Sequence, residues 1–176
     1  PCEDIEIYGI HGLFGRGCVT VGSETSAGIN NIYIHDCHFG DRELGINLKT
    51  MKGRGGYIKN IDLENISFKH VRKIAVKLSF RYDAEPLDDQ SAPITDVPDL
   101  ENISVEKIRC ERANYGTVIQ GLAGYPMREI YLDDIEINAY HASVIDDVRG
   151  FYVNNVRINP IDSPPDDRGT VYVHKA

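Results

Sequence analysis

Four places in the chain set two carboxylates side by side: Asp88-Asp89, Asp133-Asp134, Asp146-Asp147 and Asp166-Asp167. A carboxyl pair can do general acid–base chemistry when one member keeps its proton while the other gives it up. Each of these pairs falls in a loop or at a strand turn, where aspartate bends the chain and stays hydrated, so all four are read as turn residues. The four cysteines, Cys2, Cys18, Cys37 and Cys110, form no C-x-x-C pair and lie far apart, which argues against a structural zinc site. Free thiols buried as small hydrophobes are the expectation, with a bridge from Cys2 to an upstream part left open. No metal and no cofactor is expected.

The formal net charge of -8 excludes nucleic acid as a general partner, because neutralising phosphates needs clustered Lys and Arg over a broad face. Any anionic ligand must therefore be held locally. No apolar run approaches the roughly 18 residues of a membrane span, and no signal segment opens the chain, so no membrane partner is expected. At 176 residues with 41% apolar content, one folded domain over 1–176 is the default. Pro1-Cys2-Glu3 is not a natural initiator, so that domain is expected to be a fragment truncated at its N-terminal side.

The elements that must position any site are announced by a recurring phrase: apolar residues at alternate places, a small or polar turn residue, then apolar alternation again. It occurs at 4–10, 31–39, 60–68, 102–108, 129–137 and 150–158. The first apolar anchors, Ile5, Ile32, Ile61, Ile103, Ile130 and Phe151, are spaced 27, 29, 42, 27 and 21 residues apart. Self-similarity at such intervals means stacked units, and a period of two within each phrase means strands with one buried face. A further short strand lies between copies, at 18–21, 45–49, 74–78 and 116–120. Coils of about three strands, stacked at about 4.8 Å, make an all-β, right-handed, single-stranded parallel β-helix of about six coils. The competing antiparallel sandwich would need frequent hairpins, and the connectors 22–28, 51–57 and 83–98 are too long for simple ones. The 42-residue interval is expected to hold an insertion that bulges out without breaking the stack.

With that architecture in view, the run from Gly15-Arg16-Gly17 through Gly22-Ser23-Glu24-Thr25-Ser26-Ala27-Gly28 resembles the signature of glycoside hydrolase family 28, the polygalacturonases and their relatives, which runs from a G-H-G turn into G-S-E-x-S-G-G. Gly45-Ile46-Asn47-Leu48-Lys49-Thr50 and Lys52-Gly53-Arg54-Gly55-Gly56 are similar to that family's R-I-K-T and G-R-G-G stretches. Gly121-Leu122 through Pro126 to Ile130 resembles a third. The likeness covers nearly the whole chain. It implies a pectin-lyase-like β-helix, hydrolysis with inversion of chains of α-1,4-linked galacturonate, and an extracellular or periplasmic setting. The partner it implies is pectic or another acidic polysaccharide. Inversion needs a protonated carboxyl and a carboxylate about 6.5–9.5 Å apart to admit a water.

The departures from the family pattern decide what is expected of this chain. Its N-T-D and G-D-D aspartate motifs occur nowhere, so no catalytic residue is identified. Arg16 stands at the motif histidine and cannot accept a proton as imidazole can. Asn47 replaces the family arginine, while Lys49 keeps the compact cation that suits a uronate carboxylate. Arg16 is expected to supply, from the neighbouring coil, the charge that Asn47 lacks, both Arg16 and Lys49 projecting into one groove. His11, five residues earlier, is a weaker candidate for the same cleft. Tyr82 resembles a family tyrosine at the sugar, with packing as the plain alternative. Lys52 and Arg54 are expected to rim the groove, unless Arg54 simply holds its loop. The reading is therefore part of a polygalacturonase-like hydrolase, inactive alone, against a non-catalytic carbohydrate-binding β-helix and, more weakly, a structural or adhesive one. Oligomeric state is not legible.

Overall fold

A computed structural model describes residues 1–81 and 96–165. Seven strands carry it: β1 (Cys2–Tyr8), β2 (His11–Val21), β3 (Ile29–Lys49), β4 (Tyr57–Ser79), β5 (Asp99–Gln120), β6 (Met127–Asp146) and β7 (Val148–Pro160). β3 to β6 are 20 to 23 residues long, far beyond an ordinary strand, because each is a whole coil bent at its corners. Every strand pairs in parallel with the equivalent stretch of the next coil, in the order β1-β3-β4-β5-β6-β7, with β2 laid beside the later part of β3. The described residues thus form a parallel β-helix of six coils, and the antiparallel sandwich is ruled out.

The anchors fall into one column. Ile5, Ile32, Ile61, Ile103, Ile130 and Phe151 are direct register partners across every step of the stack. The long interval leaves this column intact; its excess lies between β4 and β5, and residues 82–95 there fall outside the described set.

Two lines of left-handed residues make the corners. Asp4, Asn31, Asn60, Asn102, Glu129 and Gly150 form one; Gly9, Asp36, Asn65, Lys107, Asp134 and Asn155 form the other. Asn, Asp and Gly adopt positive φ with least strain, which is why the phrase carries such a residue at its turn. Leu63 and Ile66 are three apart yet both buried, because Asn65 at φ 50° swings the chain between them. Along the first line amides bond coil to coil: Asn102 Nδ2 donates to Asn60 Oδ1 and Asn60 Nδ2 to Asn30 Oδ1, each at 2.7 Å.

Inside, β4 contributes Ile58, Ile61, Leu63, Ile66 and Phe68, all fully buried, each worth about 1.5–3 kcal/mol of transfer free energy. The same column opens at the first coil, where Ile5 is 37% exposed against 0% for Ile61. All four cysteines are free; burial pushes the Cys18 and Cys110 thiols up to about 12. Cys37 is buried as well, whereas Cys2 on the first coil is exposed, unlike the expected buried thiol.

Candidate functional site

The ends of the strands that carry the signature residues alternate. In β3, Ile46 and Leu48 enter the core, so Asn47 and Lys49 point outward; in β4, Val76 and Leu78 enter the core, so Lys77 and Ser79 point outward. Register then stacks the outward residues into two neighbouring columns. One runs Thr20, Asn47, Lys77, Val118 and the other Lys49, Ser79, Gln120, Asp146. Successive members lie on strands about 4.8 Å apart, so this is a single polar strip two side chains wide. Its middle is dry and its ends are not: Asn47 is 3% exposed, Lys77 5%, and Ser79 is buried, Lys49 is half-buried, and Thr20 and Asp146 are exposed. Asn47 Oδ1 has no hydrogen-bond partner among the described residues.

Two connectors form a shoulder beside this strip. The loop after β2 and the loop after β3 interlock through a hydrogen bond between Thr25 Oγ1 and Thr50 Oγ1 at 2.9 Å, a second from Thr25 Oγ1 to the Gly55 carbonyl at 2.9 Å, and an ion pair between Arg54 and Glu24. Gly22 and Gly56 allow the approach. A Cβ on Gly22 would strike the Lys49 carbonyl and one on Gly56 the Thr25 carbonyl, and both glycines have positive φ. Much of the signature is thus packing between turns that hold the strip's edge in place.

The expected site residues divide. Asn47 and Lys49 share the strip. Arg54 spends its charge on Glu24, the loop-holding role, and Lys52 sits half-buried in the same turn. Arg16 lies between the Gly15–Arg42 and Gly17–Leu44 pairs, four positions before Thr20, the rung partner of Asn47. Four extended residues span roughly 13 Å. Its Nε pairs with Glu43 Oε2 at 3.4 Å, a carboxylate that also receives Lys73 at 2.7 Å, and its side chain is 73% exposed. His11 faces His38 with ring centroids 5.1 Å apart, at one end of a groove of about 460 Å³ lined also by Phe39, Arg109 and Glu136. That groove lies on the stretch leading into Arg16, away from Asn47. Tyr82 falls outside the described residues, as do Asp88-Asp89 and Asp166-Asp167.

Of the remaining carboxylate pairs, Asp134 is a corner residue gripped by Arg109 Nη2 at 2.8 and 2.9 Å, and Asp133 accepts from Asn154 Nδ2 at 2.8 Å. Both serve the turn. Asp146 stands in the Lys49 column, three rungs or about 14 Å from Lys49, while Asp147 takes a left-handed turn and its carbonyl accepts the Met127 amide at 3.0 Å. Sequence reading passed over Lys77. Its signal was present in the alternation of 74–78, and stacking that strand on 45–49 places it beside Asn47.

Comparison with known proteins bears on this arrangement. The sequence model of the family described as Glycosyl hydrolases family 28 matches residues 2–156. A "Probable polygalacturonase" of Vitis vinifera is 27% identical over 120 residues, covering 68% of this chain and 24% of that protein. A "Probable endopolygalacturonase I" of Aspergillus flavus and an "Endopolygalacturonase I" of Aspergillus oryzae are each 26% identical over 124 residues, covering 69% of this chain and 33% of theirs. The chain thus spans about a quarter to a third of the length of the curated relatives it matches.

Proposed function

The chain belongs to family 28 of the glycosyl hydrolases, and from that premise we propose that it is the substrate-holding part of a polygalacturonase-like pectin hydrolase. The observation that carries this is the dry polar strip of Asn47, Lys49, Lys77 and Ser79, shouldered by the interlocked signature loops. A polar strip on the outer side of a sheet offers hydrogen bonds and positive charge in a place where water competes poorly, the conditions that favour an acidic sugar chain. Among the described residues the strip carries one carboxylate, Asp146, so the acid and base of an inverting hydrolysis are not both furnished there. Holding without cutting follows for this chain by itself. The natural setting of such a chain is outside the cell or in the periplasm, where pectin is met.

The test is to incubate the purified chain with polygalacturonate and follow reducing ends, while measuring oligogalacturonate binding by calorimetry. Binding without release of reducing ends is the expected result. Release at a rate comparable with an intact polygalacturonase would overturn the assignment of this chain as a holding element, and absence of binding to any pectic fragment would overturn the carbohydrate reading altogether. Persistent binding by a longer chain that bears both aspartate motifs, without hydrolysis, would favour the non-catalytic alternative.

A further inference from the structure

Asn47 and Lys77 are register partners, and each is more than nine-tenths buried although both point away from the apolar core. A lysine so placed has lost most of its hydration, and an ammonium there acts on neighbours through a less polar medium than an exposed cation does. Beside it the Asn47 carbonyl oxygen is an acceptor with no donor among the described residues. Lys49 lies in the adjoining column next to Ser79 and is half-buried. Arg16 differs on each count: it is exposed, it faces Glu43, and Glu43 is shared with Lys73. The Arg16 charge is thus already opposed by a carboxylate and lies where solvent and salt screen it.

We infer that Lys77 is the specificity-determining cation of this strip, its ammonium taking the carboxylate of an acidic sugar while the Asn47 amide oxygen accepts a hydroxyl of the same residue. The inference rests on the carbohydrate-holding reading above and adds to it the residue that selects acid over ester. Lys77 already has an interaction within the chain, which the sugar carboxylate would exchange for its own. The two groups are chemically complementary to a uronate: one full positive charge beside one neutral acceptor. A methyl ester keeps the hydroxyl but loses the charge, so it should gain nothing from Lys77.

The experiment titrates the full chain with trigalacturonate and with its methyl ester, for the unaltered protein and for Lys77→Gln, Lys77→Arg and Arg16→Gln. Lys77→Gln should weaken trigalacturonate binding by about tenfold or more and leave ester binding within about threefold, Lys77→Arg should retain most of the preference for the acid, and Arg16→Gln should lose less than Lys77→Gln. Circular dichroism checks folding. Should Lys77→Gln fail to fold, Asn47→Asp replaces it, because a carboxylate beside Lys77 would claim its charge and should remove the same preference. If the unaltered chain binds both ligands and neither variant changes the acid-to-ester ratio, or if Arg16→Gln produces the larger loss, the role of Lys77 is refuted and the carbohydrate reading survives. If the unaltered chain binds neither ligand, both fall together.

Discussion

Asn60 and Asn47 are the same residue type in adjacent coils, and the fold uses them in opposite ways. Asn60 is exposed, turns the chain at φ 53°, donates to Asn30 and accepts from Asn102. Its capacity is consumed within the stack. Asn47 lies in a strand, is almost wholly buried, and leaves its carbonyl oxygen without a partner among the described residues. An amide whose bonds are met by its neighbours in the next coils is architecture. One that is kept dry with an unmet acceptor costs stability, and the cost is intelligible where a ligand supplies the donor.

Substitution at the corner should have the largest effect. Asn60→Val places a β-branched residue in the left-handed region and removes two amide bonds, an expected loss of about 2–3 kcal/mol in denaturant unfolding; Asn60→Gly, which keeps the backbone geometry, should lose less than about 1 kcal/mol. Equal losses for the two would mean that the corner depends on the amide ladder rather than on φ. At the strip the sign reverses. Asn47→Leu removes the unmet acceptor and should raise stability by about 1 kcal/mol, a few degrees in thermal midpoint, while abolishing sugar binding. A destabilised Asn47→Leu would show that the amide is already satisfied and would erase the contrast between the two asparagines.

A smaller effect should appear as pH dependence. His35, stacked between Tyr8 and Tyr33, is hydrogen-bonded to the corner residue Asp36 at 2.7 Å and to Glu6 at 3.2 Å; Asp36 above all, then Glu6, holds its pKa above the ordinary value. A raised value means the folded chain favours the protonated ring. The stability it lends is fully present below the unfolded histidine value of about 6.5 and fades as pH rises through the folded one. Thermal midpoints of the unaltered protein and of His35→Gln, measured from pH 5.5 to 8.5, should therefore converge towards the alkaline end. A constant gap across that range would show that the corner's histidine is held by stacking alone.

How much of this was legible beforehand depends on which relation is asked about. The core and one line of corners were, because each leaves a local mark: Asn65 sits where alternation breaks inside its phrase, and Ile61, Leu63 and Ile66 follow from it, whereas Asn60 and Asn102 only open their copies and leave no such break. The signature glycines were recognisable, but not that Gly22 and Gly56 serve the approach of one turn to the next. Arg16 was matched to the strip by its place in a motif, which says nothing of its rung neighbour.

The chain's order of residues by itself determined that there would be coils, where they would turn and which side chains would face the axis, since a two-residue period and a left-handed turn are properties of a few consecutive residues. Tertiary structure alone decided who stands beside whom on the outside. From Phe39 to Ile46 there are seven steps along the chain, while their partners Phe68 and Val76 are eight apart, and the extra residue is taken up near bulges that shift the register. The shift between β3 and β4 slides one coil against the next and sets Lys77 next to Asn47, while the unbroken register of β2 on β3 puts Arg16 opposite Glu43.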